Sequence, residues 1–118
     1  GKVIKLDLLP NGTVQKQWST NVNDSVECSP VIDGNGFVYV GTNKGQFIKV
    51  NHNNGNIIWK HQSSGAIKST PSVTDYGNIV FATSEGKLVS IDTSGVVKWR
   101  YEANSPITAN LLSINNMV

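Results

Sequence analysis

The chain is poor in the residues that cross-link or strongly charge a small protein. It has one cysteine, Cys28, in 118 residues, so an internal disulfide is excluded. A single cysteine does not indicate whether the protein resides in an oxidising or a reducing compartment. Charged residues make up 15% of the chain, and ten basic against eight acidic side chains give a net charge of +2. This balance predicts no nucleic-acid partner. No apolar run is long enough to cross a bilayer, so no membrane-spanning segment is expected.

What the chain does contain is a pattern that occurs three times. Each copy has a glycine, a short apolar strand, a turn rich in small polar residues, a second strand and a tryptophan. Gly45 recurs as Gly86 and Trp59 as Trp99, with one residue fewer between them in the later copy. The copies are GKVIKLDLLPNGTVQKQW at 1–18, GQFIKVNHNNGNIIW at 45–59 and GKLVSIDTSGVVKW at 86–99.

Short apolar runs bounded by Gly, Pro and Asn predict ten strands. Asn35-Gly36 between two such runs predicts a hairpin with a type I′ turn, in which both central residues have positive φ. The segments 37–40 and 79–82 are continuously apolar, which predicts a sheet covered on both faces. The predicted strands are 1–9, 13–18, 26–32, 37–40, 46–50, 56–61, 67–73, 78–83, 87–91 and 96–101.

A period near 40 residues with four strands per repeat and no helical stretch is typical of a β-propeller. We expect an all-β fold of four-stranded antiparallel blades, with about three blade equivalents in the chain. The expected parts are a partial blade at 1–25, blades at 26–65 and 66–105, and the start of a further blade at 106–118. Propellers usually close with four to eight blades. We therefore expect the rest of a longer propeller, or further copies of the chain, to complete the ring.

The strand FVYVGT at 37–42 is followed by Gly45, and the next unit continues with Ile91-Asp92, Gly95 and Trp99. This pattern resembles the repeat of the quinoprotein-like (PQQ-repeat) β-propeller family. The Trp-Asp dipeptide of WD40 blades and the paired glycines of kelch blades do not occur. The resemblance implies that the tryptophan at the end of each repeat docks between adjacent blades. The structural repeat positions it implies are Trp18, Trp59, Trp99, Gly45, Gly86, Gly55 and Gly95.

No set of residues that carries catalytic chemistry is evident. A quinone-dependent dehydrogenase of the resembled family is expected to have adjacent cysteines on the cofactor and an acidic cluster around calcium, and neither is visible. Cys28 aligns with Ser69 and is expected to be a small packed residue. His52 and His61 lie on different elements without an acid or thiol at ligand spacing, so both are expected at the surface. We expect no catalytic residue, no cofactor and no metal ligand. These expectations favour a protein that is not an enzyme, although they do not decide the question.

The sequence favours a non-enzymatic scaffold that binds a protein or peptide. Lys60, Lys98 and Arg100 flank the tryptophans of the last strands and are interpreted as guards of an exposed outer edge, with a cationic binding patch as the alternative. An extended partner strand pairs with a free edge by main-chain hydrogen bonds. Polar residues expected near a central channel are Glu27, Ser29, Lys68, Thr70 and Thr108.

Two alternative functions stay open: a fragment of a quinone-dependent dehydrogenase, and a glycan-binding repeat module. The resemblance implies an extracytoplasmic location, whether periplasmic, secreted or luminal. It extends to luminal stress-sensing domains and to bacterial scaffold lipoproteins that help insert outer-membrane proteins. The residues themselves do not choose among these locations.

Overall fold

The computed structural model of the chain describes residues 1–74 and 77–102. Within these residues every regular element is a β-strand, which confirms the predicted all-β class. The strands are β1 (Lys2–Leu8), β2 (Val14–Asn21), β3 (Val31–Ile32), β4 (Val38–Gly41), β5 (Gln46–Val50), β6 (Ile57–Gln62), β7 (Ser72–Val73), β8 (Ile79–Ala82), β9 (Lys87–Ile91) and β10 (Val97–Glu102).

The described strands form three antiparallel sheets that follow the chain order. Sheet A pairs β1 with β2, sheet B has the order β3-β4-β5-β6, and sheet C has the order β7-β8-β9-β10. Each of sheets B and C is therefore a four-stranded blade built from consecutive strands, as a propeller requires. The segment 106–118, expected to begin a further blade, lies outside the described residues.

Apolar side chains fill the two seams between these sheets. Across the seam between sheets B and C, the rings of Phe47 and Phe81 stack with their centroids 4.4 Å apart. All four residues of β4 are buried, as its continuous apolar run predicted. The layer between sheets A and B contains Val3, Val22, Val38, Val40, Ile48 and Val50. The layer between sheets B and C contains Tyr39, Phe47, Ile67, Ile79, Phe81, Val89 and Ile91.

Most tight turns share one hydrogen-bond pattern. In the turn 83–87, the N–H of Thr83 donates to the carbonyl of Lys87 at 2.9 Å, and the N–H of Gly86 donates to the carbonyl of Thr83 at 3.0 Å. The φ of Gly86 is +88°, a conformation that glycine adopts without strain. The same two bonds occur in the turns 9–13, 33–37, 42–46, 74–78 and 92–96.

The hairpin at Asn35-Gly36 forms, but the predicted type I′ turn is wrong. Gly36 has a φ of +87°, whereas Asn35 is not among the residues with positive φ. The carboxylate of Asp33 accepts the N–H groups of Asn35 at 2.9 Å and of Phe37 at 3.0 Å. These bonds stabilise a longer loop with one left-handed residue, the arrangement of a type I turn followed by a bulge.

The first strand of each complete sheet is shorter than predicted. β7 covers Ser72–Val73 instead of 67–73, and β3 is shortened in the same way. Proline at 71 has no N–H to donate to a sheet. Ahead of it, the N–H of Ile67 donates to the carbonyl of Thr42 in the preceding sheet at 2.9 Å. This inner segment therefore ties two blades together instead of extending the strand.

The outer face of sheet A exposes large apolar side chains. Ile4 is 50% exposed and Leu6 is 58% exposed, whereas Ile48 and Val50, which occupy the same repeat positions in sheet B, are fully buried. Sheet A covers that face of sheet B. Equivalent apolar positions are thus buried only where a preceding sheet lies over them.

This difference predicts unequal costs for the same substitution. Ile48→Ala is expected to lower the free energy of unfolding by about 2–5 kcal/mol, because a buried side chain is replaced by a cavity. Ile4→Ala is expected to cost less than about 1 kcal/mol, because half of that side chain is already in water. Urea denaturation followed by tryptophan fluorescence measures both. Equal losses would contradict the assignment of Ile4 to an open face.

Candidate functional site

The tryptophan of β6 lies on a turn of the next sheet. Its indole N–H donates to the carbonyl of Thr93 at 3.1 Å, which joins Trp59 in sheet B to the turn 92–96 in sheet C. A Cβ atom placed on Gly95 would stand 3.2 Å from the indole ring, and Gly95 has a φ of +90°. Glycine is required here both by the backbone conformation and by the close approach of the ring.

Trp18 repeats this contact at the seam between sheets A and B. Its indole N–H donates to the carbonyl of His52 at 2.8 Å. A Cβ atom on Gly55, whose φ is +76°, would stand 2.6 Å from the ring. The structure therefore brings the repeat positions together in pairs, Trp18 with Gly55 and Trp59 with Gly95.

The repeat-pattern reasoning missed a second donor at each of these carbonyls. Lys49 on β5 is 7% exposed, and its ammonium donates to the carbonyl of Thr93 at 2.7 Å. The same ammonium lies 4.2 Å from the centroid of the Phe37 ring, a cation–π contact. Lys5 makes the equivalent bond to the carbonyl of His52 at 3.1 Å. The matching lysines of GKVIKL and GQFIKV are the signal that could have revealed this pair.

We call this arrangement, a tryptophan and a lysine that donate to one carbonyl of the next sheet, the seam clamp. Its members are Lys5 and Trp18 on the carbonyl of His52, and Lys49 and Trp59 on the carbonyl of Thr93. In the third repeat the two donor positions are Ser90 and Trp99. The Ser90 hydroxyl and the Trp99 indole nitrogen are buried and have no hydrogen-bond partner among residues 1–74 and 77–102.

The remaining predicted positions, Gly45 and Gly86, lie in turns at the opposite end of their sheets. Gly45 has a φ of +85° and Gly86 a φ of +88°. A Cβ atom on Gly45 would meet the carbonyl oxygen of Gly65 at 2.6 Å. Gly45 therefore permits the chain that leaves sheet B to pass close to the turn 42–46.

A polar groove of about 250 Å³ lies at this opposite end of the seam between sheets B and C. We call it the seam groove. The end of sheet B contributes His61 and Ser64, and strands of sheet C contribute Lys87, Arg100 and Glu102. None of these residues was predicted as a binding residue, because they share no motif and come together only when the two sheets pack.

Charges in the seam groove are unevenly paired. The Lys87 ammonium donates to the Ser64 hydroxyl at 2.9 Å and lies 3.8 Å and 4.0 Å from the carboxylates of Glu85 and Glu102. The guanidinium of Arg100 forms no ion pair or hydrogen bond with any residue in 1–74 or 77–102. Among the described residues, this guanidinium is therefore the cation of the groove that has no carboxylate bound to it.

Both histidines reach the surface only in part, because each is partly buried against an aromatic ring. His61 contacts Phe81 edge-on at a centroid distance of 6.2 Å, and His52 contacts Phe37 at 6.2 Å in the same geometry. Burial lowers the pKa of His61, and the positive charge of Arg100 lowers it further. At neutral pH the imidazole in the groove is therefore uncharged.

The other predicted polar residues occupy exposed or structural places. Glu27 and Lys68 lie on neighbouring first segments with their charged atoms 3.8 Å apart, and the N–H of Ser29 donates to the Thr70 hydroxyl at 3.3 Å. Thr108 lies outside the described residues. The outer strands β6 and β10 are sheet edges, and the residues interpreted as guards there are exposed, as predicted: Lys60, Lys98 and Arg100.

Cys28 is half-buried, and its thiol lies 3.5 Å from the carbonyl of Gly41. Burial raises the pKa of this thiol, which keeps it protonated and weakly reactive. Among residues 1–74 and 77–102, no three His, Cys, Asp or Glu side chains are close enough to hold a metal ion. No helix of the described chain is long and apolar enough to span a membrane.

Comparison with known proteins decides the family. The family model described as outer membrane protein assembly factor BamB matches residues 2–118. The chain belongs to this family of PQQ-repeat β-propellers. The predicted resemblance and the predicted propeller fold are both confirmed.

The known proteins that this chain matches are longer than the chain itself. BamB of Bordetella pertussis (strain Tohama I) is 28% identical over 100 residues, which cover 83% of this chain and 25% of that protein. BamB from Moraxella catarrhalis matches with a TM-score of 0.69 and 16% identity, over 87% of this chain and 38% of that chain. Virginiamycin B lyase from Staphylococcus aureus matches with a TM-score of 0.63 and 11% identity, over 87% and 35%. At these identities the two structures show the fold alone.

A pair of glycine substitutions separates the clamp contact from backbone strain. Gly12→Ala introduces an alanine at a φ of +86° with no atom within 4 Å of the new Cβ, and is expected to cost about 1 kcal/mol. Gly55→Ala adds a clash with the Trp18 ring and is expected to cost roughly 1–3 kcal/mol more. Chemical denaturation of both variants measures the difference. Equal costs would mean that the indole does not press on Gly55.

The pKa of His61 provides a second test. Arg100→Gln is expected to raise this pKa towards the ordinary value of 6.5, without reaching it, because burial remains the larger cause. Because the folded state binds this proton less readily than the unfolded chain, the free energy of unfolding falls as the pH drops through 6.5, and Arg100→Gln reduces that fall. NMR titration of the imidazole measures the pKa. Lys98→Gln on the same strand is the control, and an equal shift there would contradict the role of Arg100.

Proposed function

We propose that this chain is part of a non-enzymatic β-propeller that acts as a protein-binding scaffold. The observation that carries the proposal is a contrast between positions within the repeat. The tryptophan of the seam clamp recurs in all three copies and the glycine on which it packs recurs as Gly55 and Gly95, whereas the residues around the seam groove change in charge or type between the second and third copies. These pairs are Gln46 and Lys87, Lys60 and Arg100, His61 and Tyr101, and Gln62 and Glu102. Packing contacts that recur between blades, together with surface residues that differ from blade to blade, suit the recognition of a partner.

Family membership supports outer-membrane protein assembly as the setting. The Bordetella pertussis relative is named an outer membrane protein assembly factor, and the family model has the same description. We infer that the partners of this chain are proteins in that process and that it acts on the extracytoplasmic side. The chain spans 25% of the length of that curated relative, so this setting is proposed for the segment as part of a larger scaffold.

We also infer that a further four-stranded unit of the same repeat type covers the open face of sheet A. In sheet C, Val89 and Ile91 occupy the repeat positions of Ile4 and Leu6, and the preceding sheet buries them to 3% and 0% exposure. Beside β1, whose other edge has no paired strand among the described residues, an apolar groove of about 390 Å³ separates sheet A from β3 and β4 of sheet B. This groove is the space that further strands of sheet A would occupy. In a longer propeller, Ile4→Ala is then expected to cost as much as Ile48→Ala. A small cost there would contradict this inference.

The scaffold proposal is tested by photo-crosslinking from the two rims. A benzophenone amino acid replaces Tyr101, which is 59% exposed beside the seam groove, or Asn11, which is exposed in the turn 9–13 at the other rim. The chain is mixed with an outer-membrane β-barrel protein diluted from urea, and with an unfolded water-soluble protein of equal length. Crosslinks from position 101 to the barrel protein are expected to exceed those from position 11 and those to the soluble protein.

Absence of a crosslink to the barrel protein from both positions would contradict the scaffold proposal. The enzyme alternative has its own measurement, the uptake of pyrroloquinoline quinone in the presence of calcium. Stoichiometric cofactor absorbance retained through gel filtration would favour a dehydrogenase fragment over the scaffold. A specific, saturable signal on a glycan array would favour the glycan-binding alternative.

A further inference from the structure

The seam groove is built by two complete blades, so its shape does not depend on the open face of sheet A. Its side chains come from the end of β6 and the loop after it, and from β9 and β10. The stacked Phe47 and Phe81 rings hold these sheets together beneath it. At about 250 Å³ the groove is smaller than the roughly 300–1,000 Å³ of sites for drug-sized ligands. It has room for a side chain rather than for a cofactor.

The charge of the groove selects an anionic side chain. Lys87 is already engaged by Ser64, Glu85 and Glu102, whereas Arg100 is without a carboxylate partner among the described residues. A planar guanidinium binds a carboxylate with two parallel hydrogen bonds. Arg100 is therefore the group to which a carboxylate in this groove would bind.

Comparison between repeats shows that this chemistry is particular to the seam between sheets B and C. At the preceding seam the position of Arg100 is held by Lys60, whose ammonium cannot form the two-pronged bond. The position of His61 is held there by Thr20, and that of Lys87 by Gln46. The described residues form two seams, and only the seam between sheets B and C has both the guanidinium and the imidazole.

The position of the groove favours an extended segment of protein as the source of the carboxylate. β10 is the outermost strand of sheet C, and its end at Glu102 borders the groove. A peptide that lies along this strand places alternate side chains on one side. The lining also contains Val89 and Tyr101, which offer apolar surface to the carbon atoms of such a segment.

We propose that the seam groove binds the carboxylate side chain of an extended acidic segment of a partner protein, with Arg100 pairing the carboxylate. This proposal rests on the proposed scaffold function and names the chemistry of its partner. It assigns the groove a preference for glutamate or aspartate over their amides. It also assigns Arg100 a binding role that Lys60, at the equivalent place one blade earlier, does not share.

The test uses the full chain and a blocked pentapeptide, acetyl-Val-Glu-Val-Glu-Val-amide, with the glutamine analogue as its control. Titration followed by amide NMR shifts is expected to perturb His61, Arg100 and Glu102. Arg100→Gln is expected to weaken binding about tenfold, whereas Lys60→Gln changes the Kd by less than about twofold. Both positions are exposed, and the amide spectrum shows whether each variant keeps its fold. Glu102→Gln, which removes the carboxylate of the groove, is expected to tighten binding.

The proposal is overturned by equal affinity for the glutamine peptide, by equal effects of Arg100→Gln and Lys60→Gln, or by shifts that map outside the groove. Inorganic phosphate is titrated separately. If phosphate saturates the same residues as tightly as the peptide does, the groove is a general anion site and the peptide assignment fails. Crosslinking from position 101 that survives Arg100→Gln undiminished would remove the groove proposal and leave the scaffold function standing. Peptide binding without any crosslink to the barrel protein would support carboxylate binding in the groove and contradict the proposed outer-membrane partner.

Discussion

One backbone carbonyl in each seam holds two neighbouring blades in place. It accepts an indole N–H and a lysine ammonium from the blade before, at 3.1 Å and 2.7 Å in the case of Thr93. A carbonyl oxygen has two lone pairs, so one atom satisfies both donors. The ring that brings the indole there packs on a glycine whose φ is positive. A larger residue in place of this glycine would meet the indole ring, so the spacing of the two blades depends on the contact.

The buried ammonium of Lys49 shows how the seam accommodates a charge without a carboxylate. Burying a cation costs free energy unless polar groups replace its water. The carbonyl of Thr93 and the faces of Phe37 and Tyr39 surround this ammonium, with Nζ 4.2 Å and 5.7 Å from the two ring centroids. Burial and the bond to Asp33 raise the pKa of Tyr39, which keeps that phenol neutral. The Lys49 ammonium is therefore held in position by the carbonyl of Thr93 in sheet C.

Spacing within one sequence was sufficient to predict the fold class and most of the strands, whereas the docking of the tryptophans between blades was implied by the resemblance to the PQQ-repeat family. The pairing of these tryptophans with Gly55 and Gly95 was not predicted. The glycines and tryptophans recur with the period of the blades. They do so because the indole ring packs directly against a turn glycine of the next blade, and neither position accepts many other residue types. The type of the turn at Asn35-Gly36 was not predictable from the dipeptide, since the carboxylate of Asp33 selects the longer loop. Lys49 was overlooked because a lysine in an apolar strand usually faces solvent. The seam groove was invisible for a different reason: its residues lie on separate strands and adjoin only after the sheets pack.

The two ends of the seam between sheets B and C have different properties. At one end the tryptophan of the seam clamp packs closely on a glycine of the next sheet, a contact that leaves little room for other residue types. At the other end Arg100 contributes an exposed side chain to a half-open surface, and its guanidinium makes no cation–π contact with the stacked rings of Phe47 and Phe81. A propeller can therefore alter what it recognises, blade by blade, without altering how its blades are held.

The seam clamp is also directional. Every clamp donor described lies on the earlier blade and every acceptor on the later one, so each blade has an unlike leading and trailing surface. Units of this kind associate head to tail, and a face-to-face pairing of two identical surfaces would leave donor against donor. Any blade added to either end, from the same polypeptide or from another copy, must therefore enter with the same polarity around the axis.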